Sequence, residues 1–136
     1  MDFKYVIQTD KFSLSNAEVI DLNATPKVLV GALSGFMVTP ISATVLVVHA
    51  GSNEGSNNNL IFGWDDSQDL LYWDRGSRFF GAKSADASYV FSGEQPGGGV
   101  DAGSLINKSF KMWSNAAFNG GWSCDVYVTY AYTKIL

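Results

Sequence analysis

Residues Pro40–Gly51, PISATVLVVHAG, hold the longest uninterrupted aliphatic run in the chain, Val45-Leu46-Val47-Val48, bounded by Thr44 and His49. A strand points successive side chains to opposite faces, so Val45 and Val47 share one face and Leu46 and Val48 the other. Three β-branched valines favour a strand, and the run is too short for a helix. A strand apolar on both faces is either central in a layered core or has its second face covered by another subunit.

Turn signals and short apolar segments extend outward from this strand in both directions. Toward the N-terminus, Phe36–Thr39 and Lys27–Val30 read as strands separated by the loop 31–35, and Pro40 is expected to force a break or an edge position. Ser15-Asn16-Ala17-Glu18 fits a helix capping box, although Val19–Leu22 reads equally as a strand, the reading preferred here. Phe3–Thr9 alternates as a strand, and Lys11–Ser15 reads as a polar connection anchored by Phe12 and Leu14. Toward the C-terminus, 51–59 (GSNEGSNNN) reads as an exposed flexible tip without apolar residues. Leu60–Trp64 and Leu70–Trp73 form an expected hairpin, followed by short strands at Ser88–Phe91 and Ser109–Trp113. In the last strand Cys124, Val126, Val128, Tyr130 and Tyr132 line one face.

Closely spaced short strands predict an all-β fold, a single-domain antiparallel β-sandwich of jelly-roll-like form. Residues 1–16 are assigned as an N-terminal strand or arm and residues 17–136 as the sandwich, one compact domain in all. The 136 residues fit one domain, and the 16% charged fraction is low enough to imply that a partner covers part of the surface. A net charge of −4 argues against nucleic acid and against an anionic membrane surface as partners. The start carries charges and reads as no signal peptide. The lone Cys124 reads as a buried thiol, and no cofactor is expected.

Few residues offer chemistry. His49, the only histidine, is expected at the rim of the sandwich. The serine of Gly31-Ala32-Leu33-Ser34-Gly35 stands one place late for a nucleophile elbow. Asp65, Asp66 and Asp69, with Trp64 and Trp73, are the candidate platform for a sugar or a Ca²⁺ ion, against the plainer reading of a solvated turn. No catalytic set assembles, so the chain is expected not to be an enzyme.

The order of Leu22–Val30, Pro40–Gly51, Asn107–Met112 and Asn119–Tyr130 resembles small β-sandwich virion proteins of tailed bacteriophages, both capsid decoration (cement) proteins and the knobs of fibres and spikes. The resemblance implies a compact jelly-roll-like knob, commonly trimeric and without enzymatic activity. On that basis the expected role is a decoration protein, made in the host cytoplasm and located on the virion. It would stabilise the head as a homotrimer bound to the major capsid protein. Phe36, Val45 and Val47 are then the expected subunit interface, and Phe3 and Tyr5 the expected capsid-docking residues. The alternative is a fibre or spike tip that binds a host-surface glycan through Trp64, Asp65, Asp66, Asp69 and Trp73.

Overall fold

The structure is a computed structural model that describes residues 6–65, 67, 70–75, 85–93 and 102–135. Among the described residues eight strands make two antiparallel sheets: β1 (Gln8–Leu14), β2 (Lys27–Val30), β3 (Phe36–His49), β4 (Leu60–Trp64), β5 (Leu71–Arg75), β6 (Ala87–Ser92), β7 (Phe110–Ser114) and β8 (Trp122–Lys134). The front sheet has the order β1-β8-β3-β6 and the back sheet the order β2-β7-β4-β5. Every connection crosses between the sheets except the β4–β5 hairpin, and the pairs 1·8, 2·7, 3·6 and 4·5 are all neighbours. That order is a long hairpin with β4 and β5 at its tip, wrapped into two facing sheets, and it is the jelly roll expected from the sequence.

Burial alternates along β8 from Trp122 to Tyr130, where Cys124, Val126, Val128 and Tyr130 face inward. The same alternation in β3 puts Val45 and Val47 inside. β3 does not break at Pro40. It runs through it and takes up a β-bulge at Ile41, where the register with β8 shifts between Pro40 and Ser42. Pairing with β6 begins only at Ser42, so the missing N–H of Pro40 interrupts no ladder on that side. The bulge also switches parity: Phe36, Val38 and Pro40 face the core before it, and Ala43, Val45 and Val47 after it.

Phe62, Phe91, Phe110 and Met112 fill the space between the sheets, with the rings of Trp64 and Trp73 beside them. The rings of this cluster meet edge to face, Phe62 with Trp73 at 5.7 Å and Trp64 with Phe110 at 5.5 Å between centroids.

Two expectations near the N-terminus change. The strand lies at Gln8–Leu14, so residues 11–14 are no connection but half of an edge strand paired in register with β8. Its inward side is Asp10, Phe12 and Leu14, and Asp10 is accommodated because it accepts the Tyr130 hydroxyl at 2.7 Å. The segment preferred as a strand is instead a short helix, α1 (Asn16–Ile20). The capping box decides it: Ser15 Oγ accepts the Glu18 N–H, and the Glu18 carboxylate accepts the Ser15 N–H. Val19 and Leu22 are buried beneath it. No helix among the described residues is long and apolar enough to cross a membrane.

Candidate functional site

The front sheet presents its outer face in rows fixed by register. One row is Ser13–Asp125–Leu46–Ser88, the next Lys11–Tyr127–Thr44–Val90, and the next Thr9–Thr129–Ser42–Ser92. Val48 with Ser123 and Thr39 with Ala131 extend the face in either direction. Ile7, one residue before β1, continues the parity of Thr9. Seven large apolar side chains are exposed among the described residues, and Ile7, Ile41, Val48 and Val90 are four of them; Val90 is 66% exposed. Four of the seven thus share one face, where they are interspersed with Ser, Thr, Lys and Asp side chains.

Among the described residues, charge on this face is confined to the β1 side and is compensated there. Lys11 Nζ lies 3.7 Å from Asp125 Oδ2 and over the Tyr127 ring at 5.7 Å, and Ser13 Oγ donates to Asp125 Oδ1 at 2.6 Å. Hydroxyls pair across strands, Thr9 with Thr129 and Thr39 with Thr133. The outward positions of β3 and β6 carry only Ser, Thr, Leu, Val, Ile and Met. Covering such a surface desolvates no charge on β3 or β6, although its Ser and Thr hydroxyls need hydrogen-bond partners once covered.

The expected interface residues are elsewhere. Val45 is fully buried, Val47 is 3% exposed and Phe36 8% exposed, all within a single chain. Their side chains point between the two sheets and cannot meet a second subunit. The other face of the same strand, Leu46 and Val48, is the one left open. Phe3 and Tyr5 lie outside the described residues.

The expected glycan platform does not form either. Trp64 and Trp73 are 3% and 6% exposed. Trp64 donates its indole N–H to the Val38 carbonyl at 3.0 Å and packs against Tyr72 and Phe110. These rings sit on the inner side of the β4–β5 hairpin and offer no stacking surface. Asp65 is exposed with φ of 58°, and its carboxylate lies 3.5 Å from Lys108 Nζ. Asp66 and Asp69 lie outside the described residues. Among the described residues no group of three His, Cys, Asp or Glu side chains could hold a metal ion.

His49 sits at the rim as expected, with Nε2 2.9 Å from Asn53 Oδ1 and its N–H donating to Asp86 Oδ1. Cys124 is buried, and burial, with the nearby Asp125 and Glu18 carboxylates, pushes its thiol up to about 12. An open cleft of about 370 Å³ lies beside α1, lined in part by Leu14, Leu22 and Pro26. Its polar groups are already engaged, Glu18 with Ser15 and Lys27, and Asp21 with the Thr25 hydroxyl.

The sequence reading missed one constellation. Glu54, within the polar stretch taken for a mobile tip, is 3% exposed. Its carboxylate accepts the Gly120 N–H at 2.8 Å, the Trp122 indole N–H at 3.0 Å and the Ser56 N–H at 3.2 Å. The Asn119 N–H donates to both of its oxygens at 3.0 Å. Burial alone would raise this carboxyl, but bonds from Ser56, Trp122, Asn119 and Gly120 outweigh it and hold it below its ordinary value. The only sequence signal was the lone acid in GSNEGSNNN standing far from any lysine.

Comparison of the chain with protein-family models, curated proteins and solved structures found no match.

Proposed function

We propose that this chain is a structural knob of a virion that decorates the head as a homotrimer, and that its copies meet through the outer face of the front sheet. The observation that carries the reading is that face itself. The outward positions of β3 and β6 hold no charge, and those of β3 mix Met37, Ile41, Leu46 and Val48 with Thr39, Ser42 and Thr44. From strand spacing and rise the face is about 600 Å² in flat projection. A standard interface covers roughly 800 Å² of accessible surface per partner, so a face of this size is on the order of one such interface, which a trimer divides between two neighbours. Closed symmetry would also hide the edges of the sheet, which are otherwise open to unwanted pairing.

The action is mechanical: a rigid sandwich held by buried aromatic rings clasps its neighbours and bridges major capsid subunits. Attachment to a capsid rests on the sequence resemblance. The glycan-tip alternative has lost its aromatic platform, because Trp64 and Trp73 are core residues.

The test is light scattering on the purified protein together with a pull-down on empty phage capsids. A particle of three chains that binds capsids saturably supports the reading, provided Val90→Asp yields folded monomers. A trimer that ignores capsids keeps the interface and removes the decoration role. A wild-type monomer removes both.

A further inference from the structure

Asn119-Gly120 is the only Asn-Gly pair in the chain. Such a pair is chemically fragile because glycine leaves the following amide nitrogen unhindered. Loss of ammonia requires the Gly120 nitrogen to give up its proton and bond to Cγ of Asn119. The side-chain nitrogen then leaves as ammonia, and water opens the cyclic imide to Asp or isoAsp. The fold cannot avoid the glycine: a Cβ at position 120 would stand 2.8 Å from Glu54 Cα and 2.8 Å from Cδ1 of Trp122.

The same contact occupies the reacting atoms. The Gly120 N–H, the nucleophile, donates to Glu54 Oε1 at 2.8 Å in a buried bond. The Asn119 N–H is held by both Glu54 oxygens. At the other end, Asn119 Oδ1 accepts the Gly55 N–H at 2.8 Å, which fixes the side-chain amide toward the 50–59 loop. Ring closure needs rotation about both segments, and each is pinned by a residue of one loop.

We propose that Glu54 is a positioning residue that protects the Asn119–Gly120 bond from imide formation, so that this pole of the sandwich resists ageing. The experiment incubates folded wild type, wild type in urea, and Glu54→Ala at mildly alkaline pH, and follows conversion of Asn119 by peptide mass spectrometry. Asn57 and Asn115 in the same molecules serve as internal references.

Folded wild type should keep Asn119 intact while the urea sample converts. Folded Glu54→Ala should convert at Asn119 roughly tenfold to a hundredfold faster than wild type, the population gain on releasing one charge-assisted hydrogen bond. The references should not change in step. Folded wild type converting at the urea rate overturns the proposal, as does a folded variant as durable as wild type. If the variant does not fold, hydrogen exchange at the wild-type Gly120 amide decides. Exchange only through global unfolding supports the protection, and fast local exchange overturns it.

Discussion

Replacing Glu54 by Ala should destabilise the fold by about 3–5 kcal/mol, the cost of leaving the partners of a buried charge without it. The geometry sets the scale. The Gly120 N–H and the Trp122 indole N–H donate to Glu54 in buried bonds, and each buried donor left unpaired costs about 1–3 kcal/mol. The Asn119 and Ser56 donors are part-buried and recover hydrogen bonds to water, so they add less. Against a typical stability of about 5–15 kcal/mol the loss is large. It should appear in urea unfolding as a lower midpoint at unchanged slope. The effect also has a pH signature. Glu54 is held below its ordinary value, so its stabilisation is fully present above the unfolded-state value, about 4.3. That pH-linked part fades as pH falls through the lower folded-state value, so the gap between wild type and Glu54→Ala should narrow in acid. A change below about 1 kcal/mol at neutral pH would refute the reasoning, because that is the range of an ordinary surface substitution.

Other expectations follow from single contacts. Cys124, buried and pushed up to about 12, should resist thiol reagents at neutral pH until the chain is unfolded in urea, as a colorimetric thiol assay would read. Gly63→Ala should lower the melting temperature sharply, since the added Cβ would meet the Leu70 carbonyl and stand 2.8 Å from the Trp113 ring. Ser15→Ala removes the cap of α1 and should cost about 1 kcal/mol in denaturant unfolding.

The parts of this fold with a strict period of two were legible in the sequence. β8 and the second half of β3 alternate cleanly, and the register follows from them. The bulge at Ile41 was not legible, because a proline in an apolar segment reads as a break unless the partner strand is known to stop at Ser42. β1 was displaced for a related reason. An edge strand whose inward side includes Asp10 carries no apolar alternation, and its acid is explained only by the Tyr130 hydroxyl 120 residues away in sequence. Core packing was the default for at least two of the four tryptophans, yet the sequence did not show that all four are buried, since loop ends and sheet interiors use the same residues. The candidate surface was half legible. The doubly apolar run announced a second face needing cover, yet which valines faced which way depended on the parity switch and on β6 lying beside β3. Glu54 was barely legible, because all its partners but the Trp122 indole are backbone groups and those from Asn119, Gly120 and Trp122 lie more than 60 residues away in sequence.

The central claim is that the outer face of the front sheet joins copies of this chain. The most direct measurement is sedimentation equilibrium of wild type beside Val48→Lys. Val48 is 48% exposed on that face, so the substitution leaves the core untouched and puts a charge where a partner would bury it. The account predicts three chains per particle for wild type and a folded single chain for the variant. A wild-type protein that sediments as one chain, or a Val48→Lys trimer as tight as wild type, would contradict it.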